Sequence, residues 1–593
     1  DFVITGDNIF NLIGDVIGGT LEILAVSGIA FDFTGGVTYT NLTNNGLVGA
    51  YRTQYEFDDG AGNSVFLEVY QPPIIGTVGD DTTDGDYTNG PANDGDNIID
   101  ALAGNDVVNA YAGDDTITAG AGVDTVNAGD GDDTIYGDAG ADTINGGNGL
   151  DTADYSNDDG NGGTAGITVD LASGTQTVVD GYGDTDTLTG VENVIGTDND
   201  DIFTGETGVD NVFDAGTEGA GGDTLEYSTN TSSLVVDLNG GTMTGDGAGT
   251  DTITGFENVN SGTGNDTITG TSVKNVIDAS SGTNTINASD GDNTITATTG
   301  ADLITSGTGN DLINAGAGNN NINAGAGNND ITTTTGADTI VSAGGDDTIN
   351  AGAGLNTISA GDGANQITTG ADKDIITSGA GADTIIAGDG DNTITSGGDA
   401  DIITSGTGND LINAGTGNDT VSAGAGVDII RGGTGDDTLQ GEAGNDTLFG
   451  GDGADTLNGG LGVDTVDYSE DAAGGGVAGV TVNLTADTAT DGFGASDVLI
   501  AVENVIGTDG ADTMTGDANE ENTLAAGNGV DTLDQSGSLA KVVVDLTAGT
   551  MTDENANADV VTGFENVNTG TGDDTVNGTA GANTINSGLG NDV

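Results

Sequence analysis

From Ser261 to Asp467 the chain runs through twenty-three consecutive copies of a nine-residue frame, small-Gly-x-Gly-x-Asp/Asn-x-aliphatic-x, without losing phase. Position eight is Ile, Val or Leu in every copy, from Ile268 and Ile277 to Leu457 and Val466. Position six is Asp in fifteen copies and Asn in eight. A fixed period with one aliphatic per unit describes a coil wound repeatedly on itself, each turn covering the apolar edge of the last. The first six positions are mostly Gly, Ala, Ser, Asn and Asp, which turn tightly and tolerate positive φ. The last three make a minimal strand whose aliphatic points inward between outward-facing neighbours. Two units then close one flattened coil of eighteen residues, and two columns of aliphatics meet as a thin core.

This geometry has an electrostatic consequence. Strand spacing of about 4.8 Å stacks position six of one unit over position six two units later. Bare carboxylates at that distance repel by roughly 0.9 kcal/mol in bulk water and roughly 3.5 kcal/mol at an effective dielectric near 20. The chain as a whole has 97 acidic and 5 basic residues, a net charge of -92. Such a balance with few aromatics ordinarily signals disorder, but the strict aliphatic phase argues for a fold whose charge is neutralised from outside. A hard dication held by carboxylates and turn carbonyls reverses the repulsion. Calcium suits flexible all-oxygen coordination at about 2.3–2.6 Å, whereas magnesium needs tighter octahedral geometry and releases its water reluctantly.

Composition excludes other classes. Arg52, Lys274, Lys373, Arg431 and Lys541 cannot build a basic patch, so nucleic acid is not expected as a partner. No lysine is followed by Ser or Thr, which removes the phosphate-cradling Gly-Lys-Ser/Thr loop. Without His or Cys, the usual nucleophile–base pairs and zinc sites are absent. Two-carboxylate chemistry would need a lined cleft, and aromatics are only 4% of the chain; no enzymatic role is expected. The most apolar stretch, from Leu21 to Phe31, is short and contains Glu22, so no membrane span is predicted. The chain opens at Asp1 without a basic, apolar leader and stops at Val593 within a repeat, which reads as a piece of a longer polypeptide.

Six segments are expected. Residues 1–75 hold alternating Phe, Tyr and Val, as in Val65-Phe66-Leu67-Glu68-Val69-Tyr70, and read as a small N-terminal β region. Residues 76–154 form a first nonapeptide block and 261–467 the main one. Between them, 155–260 carries a different module, with Asp154-Tyr155-Ser156, Gly166 to Leu171 and Glu192-Asn193-Val194. Its elements return over 468–568 as Asp467-Tyr468-Ser469, Gly479 to Leu484 and Glu503-Asn504-Val505. The frame restarts over 569–593. The fold class is thus all-β, a parallel β-roll or β-solenoid of nonapeptide repeats with wider-coil modules. A block-plus-module unit copied in tandem is typical of rods and lattices.

Gly432-Gly433-Thr434-Gly435-Asp436-Asp437-Thr438-Leu439 and Gly450-Gly451-Asp452-Gly453-Ala454-Asp455-Thr456-Leu457 resemble the nonapeptide of RTX (repeats-in-toxin) proteins, the calcium-binding parallel β-roll. The resemblance implies many Ca2+ ions, with position-six Asp as side-chain ligand and turn carbonyls completing each site. In the first block those residues are Asp106, Asp115, Asp124, Asp133, Asp142 and Asp151. In the main block they are Asp266, Asp302, Asp311, Asp338, Asp347, Asp374, Asp383, Asp401, Asp410, Asp419, Asp428, Asp437, Asp446, Asp455 and Asp464. Asp574 and Asp592 follow in the last. The resemblance also implies export from a Gram-negative bacterium by a one-step secretion system, with folding outside the cell.

One departure stands out. Along one column position six alternates, Asp266, Asn284, Asp302, Asn320, Asp338, Asn356, Asp374, Asn392, Asp410, and the other column alternates through Asp311, Asn329, Asp347, Asn365 and Asp383. Weaker or sparser calcium binding is expected there, with Asn amides holding the remaining gaps; neutral exchange among turn-compatible residues is the alternative. Glu192, Glu257, Glu503 and Glu565 of the Glu-Asn-Val motifs either close a wider coil or add a ligand. Lys373 is expected to pair with Asp372 or Asp374. For the whole chain the expectation is an extracellular structural protein, a surface-layer, filament or adhesin segment that self-associates at a cell surface. A folding region for a toxin or hydrolase with its catalytic domain elsewhere is the alternative. Outward Thr pairs such as Thr294/Thr296 and Thr393/Thr395 suggest an ice-binding array as a third reading, interrupted at Ala317/Asn319 and Asp389/Asp391.

Overall fold

The computed structural model describes residues 95–593, apart from 173, 207, 218 and 246–248, together with residue 79 and the backbone of several strands ahead of residue 95. Among those early strands, Asn41–Leu47, Arg52–Asp58 and Ser64–Tyr70 make an antiparallel meander, with Thr20–Leu24 parallel to the last. The chain divides into two compact units, Asp1–Tyr227 with Leu234–Asn260, and Ser228–Ser233 with Ser261–Val593.

Each unit is a β-solenoid. In the second, strands Thr267–Thr269, Thr285–Asn287, Leu303–Thr305 and their successors form one parallel ladder. Val276–Ser281, Thr294–Thr299 and Leu312–Ala317 begin the other. Register advances by eighteen residues, so Ile286 lies beside Ile304 and Ile295 beside Ile313. Like therefore stacks on like. Position-eight aliphatics such as Ile304, Ile322, Ile412 and Leu439 are 0% exposed, which makes them the core. Position one turns inward as well, and Ala279, Ala297, Ser306 and Ser342 are buried beside the aliphatic columns. The described helices are short, Asp158–Asn161 and its counterpart Asp471–Gly474 being one turn each.

The glycine at position four is fixed by how closely coils approach. Gly435 has φ +124°, and a Cβ there would sit 1.7 Å from the carbonyl oxygen of Gly417 in the preceding coil. Only glycine meets both demands.

The wider coils arise where a ladder takes in an antiparallel hairpin. In the first unit Thr143–Asn148 pairs directly with Thr185–Thr189, which turns back through Gln176–Val179 to Thr168–Asp170 before parallel stacking resumes at Ile202–Thr204. The second unit repeats the device, from Thr456–Leu461 to Ser496–Ile500, Thr488–Thr490, Thr481–Asn483 and Thr513–Thr515. The core is larger here. Phe203 packs against Phe213 at 5.3 Å and edge-on against Phe256 at 5.1 Å.

Candidate metal sites

Position six ends a tight turn and immediately precedes the strand, and its side chain is buried at the seam between turn and core. All the expected Asp residues from Asp106 to Asp464, and Asp574, are buried; Asp592 is half-buried. The structure brings them together as columns. Within each block, up to its last coil, the backbone N–H at position six donates to the Oδ1 of the position-six side chain eighteen residues later. In the first unit these links run Asp106 to Asp124 at 2.7 Å, Asp115 to Asp133 at 2.8 Å and Asp133 to Asp151 at 2.9 Å. In the second they include Asp410 to Asp428 at 2.7 Å, Asp419 to Asp437 at 2.8 Å and Asp446 to Asp464 at 2.8 Å. Asp574 meets Asp592 at 3.1 Å.

The second carboxylate oxygen has no such provision. In Asp115, Asp124, Asp133, Asp142, Asp151, Asp302, Asp311, Asp338, Asp374, Asp383, Asp401, Asp410, Asp419, Asp428, Asp437, Asp446, Asp455, Asp464 and Asp574, Oδ2 is buried and accepts no hydrogen bond, although the hydroxyls of Ser306, Thr369, Ser378, Ser396 and Ser405 lie near Asp311, Asp374, Asp383, Asp401 and Asp410 and ease their charge. Asp266 and Asp347 differ, because Ser261 and Ser342 donate to their Oδ2, each at 2.6 Å. Buried charges in proteins are paired or bind metal, and rows of them with an unbonded oxygen ask for a cation.

The surroundings fit one. A Cβ placed on Gly432, at position one, would lie 2.2 Å from Asp437 Oδ2 and 2.8 Å from the Gly450 carbonyl oxygen. At Gly441 the corresponding oxygens are Asp446 Oδ2 at 2.3 Å and the Gly459 carbonyl at 2.7 Å. Glycine thus leaves a cradle faced by a carboxylate and a carbonyl, a hard all-oxygen donor set of the calcium type. Among the described residues no three carboxylates converge on one point, so carbonyls would have to complete each site.

Protonation answers to the same crowding. Burial first, eased by the Asn97 N–H and reinforced by Asp133, pushes Asp115 up to about 7. Asp142 rises to about 8, burial again leading and Asp186 and Asp124 adding repulsion. Asp428 reaches about 7 through burial, opposed by the Asp410 N–H and aided by the Asp446 and Asp410 carboxylates. Asp302 and Asp374 are also raised by burial; Asn284 donates to Asp302, and at Asp374 the Thr369 hydroxyl and then Asn356 oppose the rise.

Counting by nines does not find the rest of each column. Asp142 N–H bonds Asp186 Oδ1 at 2.8 Å across 44 residues, and Asp455 N–H bonds Asp497 Oδ1 at 3.0 Å across 42. Asp201, Asp223, Asp251, Asp512, Asp531 and Asp559 continue the pattern. Each stands two residues before a buried apolar side chain, as in Asp497-Val498-Leu499. That local pairing is the available sequence signal. The Glu-Asn-Val motifs close the wider coils: Glu192, Glu257, Glu503 and Glu565 accept from the N–H of Asp151, Asp223, Asp464 and Asp531 at 3.1, 3.0, 2.7 and 3.0 Å. Among the described residues the ion pair formed is Arg431 with Glu470 at 2.9 Å, and Lys373 is not in one.

Stacked parallel coils with two inward columns of carboxylates define a β-roll of nonapeptide repeats. A profile of the RTX calcium-binding nonapeptide repeat matches overlapping segments across residues 91–153, 260–466 and 561–593, more than half of the chain. The chain belongs to that family. No curated protein sequence matches it.

Proposed function

We propose that this chain is a calcium-dependent structural protein of the cell exterior, a surface-layer, filament or adhesin segment. Ca2+ held between stacked turns folds and stiffens the rolls and links neighbouring subunits. The observation that carries this reading is the row of buried Oδ2 atoms that accept no hydrogen bond, from Asp115 to Asp464. Left bare, they oppose the stacking that buries the aliphatic columns; with a dication between them they hold it. The repetition of block and wider module supports a scaffold, since repeat arrays make extended surfaces. Among the described residues no helix is long and apolar enough to cross a membrane.

Self-association needs a face on which copies of a chain with charge -92 can meet. From Thr267 to Asn413 the outward residues of one ladder carry no charge; they include Thr285, Leu303, Thr339, Ile375, Thr393 and Leu411. Imaging of the purified protein with millimolar calcium and with excess chelator tests the reading. Ordered sheets or fibres that dissolve in chelator are expected. Monodisperse monomers in both conditions overturn the assembly and favour a folding region attached to a catalytic domain.

The same uncharged face favours ice binding as a second reading. Asn319, Asp389 and Asp391 lie outside the strands, so they do not interrupt it. Thermal hysteresis in the calcium-loaded protein separates the two: a measurable freezing gap supports ice binding, and its absence removes it.

A further inference from the structure

Within the second unit, position one changes in step with position six. Where position six is Asn, at 284, 293, 320, 329, 356, 365 and 392, position one is Ala, while Asn275 and Asn583, outside this stretch, have Gly270 and Gly578. Where it is Asp between 311 and 410, position one is Ser or Thr: Ser306, Thr333, Ser342, Thr369, Ser378, Ser396 and Ser405. From Asp419 to Asp464, and from Asp106 to Asp151, position one is Ala or Gly throughout. Asp302, with Ala297, breaks the rule, and free exchange among turn residues would break it far more often.

The geometry gives the pairing a meaning. The Asn amides enter the turns and donate to carbonyls there: Asn365 Nδ2 to Gly361 and Gly363 at 3.2 and 3.0 Å, Asn320 to Gly318 at 3.2 Å, Asn329 to Gly327 at 3.1 Å. Asn329 Nδ2 also reaches Asp347 Oδ1 at 3.0 Å. The hydroxyls take the position-one carbonyl of the next coil, the same carbonyl that faces the cradle at Gly432. Ser306 bonds Ala324 at 2.9 Å, Thr333 bonds Ala351 at 2.7 Å, Thr369 bonds Ala387 at 2.6 Å and Ser405 bonds Ala423 at 2.6 Å. Ser342 turns instead to the Asp347 carboxylate. Except between Asp383 and Asp401, each stacked gap there holds one carboxylate in place of two, and the carbonyls that take these hydroxyls are already bonded. A cation entering would meet half the charge and fewer free oxygens. Between 419 and 464 neither Asn nor hydroxyl is present at these positions.

We propose that residues 284–410 are a calcium-sparing section of the roll, in which Asn amides and position-one hydroxyls replace the cation as the glue between turns. This section binds calcium more weakly than 419–464 and keeps its fold after those turns have opened. The proposal rests on the calcium reading above and divides it by region.

Hydrogen exchange read by mass spectrometry on the full chain, in calcium and in excess chelator, tests it. In calcium both regions are protected. In chelator, amides of Asn321–Ala326, Thr339–Gly344 and Thr357–Ser359 are expected to exchange at least about tenfold slower than those of Thr438–Gly444, Thr447–Asp452 and Thr456–Leu461. Equal loss in both regions overturns the proposal and leaves calcium-dependent folding intact. Equal retention in both overturns the calcium reading itself. A second measurement uses the full chain with Asn320→Asp, Asn329→Asp, Asn356→Asp and Asn365→Asp. Equilibrium dialysis should show additional bound calcium, and protection of 321–359 in chelator should fall to that of 438–461. Unchanged binding and unchanged protection overturn the proposal.

Discussion

The roll over 419–464 and the wider module over 468–568 build the same column with different help. In the roll each carboxylate gains one N–H and keeps a bare Oδ2. In the module Asp497 accepts from Asp455 N–H with one oxygen and from the Tyr468 hydroxyl with the other, at 3.0 and 2.9 Å. Asp512 accepts from Val480 N–H and from both the N–H and hydroxyl of Thr508, at 2.7, 2.9 and 2.8 Å. The first unit does the same with Tyr155 on Asp186 and Thr197 on Asp201. Bare oxygens return at Asp531 and Asp559, so the module relieves its column in places. The continuous element is the stacked carboxylate, and what varies is whether the protein or an ion satisfies it. Sequence spacing along the column is free to stretch from 18 residues to 42 because the hairpin loops out of the stack.

Removing calcium gives the largest effect. In low salt and chelator at pH 7.5, circular dichroism should lose the part of the β signal that the all-Asp turns contribute, because burying their carboxylates then goes uncompensated. Unchanged spectra and melting would break the comparison at its root. The calcium-free chain should regain stability on acidification. Carboxylates raised in the fold from 3.8 to about 6 at Asp124, about 7 at Asp437 and about 8 at Asp142 hold protons there that the unfolded chain has released. Their stabilisation is complete below about pH 4 and disappears as pH rises through 6–8. Melting temperature without calcium should therefore climb as pH falls from 8 towards 4; a flat or opposite trend contradicts the burial of these groups.

Core substitutions sharpen the contrast next. Phe203 fills a module with two ring partners, and Phe203→Ala should cost about 3–5 kcal/mol. Ile331→Val in the roll removes one methylene from a column of like neighbours and should cost about 1 kcal/mol. Denaturant titration in saturating calcium measures both, and comparable values would mean that the modules are no better packed than the rolls. Tyr468→Phe comes between them. It strips the donor from buried Asp497 and should cost about 1–3 kcal/mol. It should also leave the module more dependent on calcium, as the roll is.

Much of this was legible in the nine-residue phase. The eighteen-residue coil, the aliphatic columns at Ile304 and Ile313 and the stacking of Asp419 on Asp437 all follow from counting, because each is set by local turn chemistry repeated in register. Position one was missed as an inward position, since Ala, Ser and Gly look like turn residues until the strand is known to run on past position nine, as it does at Thr438–Gly444. The carboxylates of the modules were missed because insertions destroy the period while Asp-x-aliphatic survives. The tyrosine donors could not be read at all: Tyr155 and Asp186 are 31 residues apart, and only the hairpin brings them together.

The smallest effect concerns a difference between the two copies of the module. Arg431 lies 4.4 Å over the Phe449 ring and grips Glu470 with two nitrogens, at 2.9 and 3.1 Å, tying the roll to the turn before Asp471–Gly474. The first copy, offset by 313 residues as Tyr155 is from Tyr468, has Thr118, Tyr136 and Asn157 at these places and so lacks the clamp. Both partners are partly exposed, at 32% and 52%, so solvent and salt screen the pair, and Arg431→Met should cost no more than about 1 kcal/mol. The methionine keeps contact with the ring while deleting the charge. If the ion pair contributes, the loss should shrink in about 0.5 M salt; if stacking on Phe449 dominates, it should not change with salt. Either result fixes how one copy of a duplicated module is fastened to its roll when the other manages without.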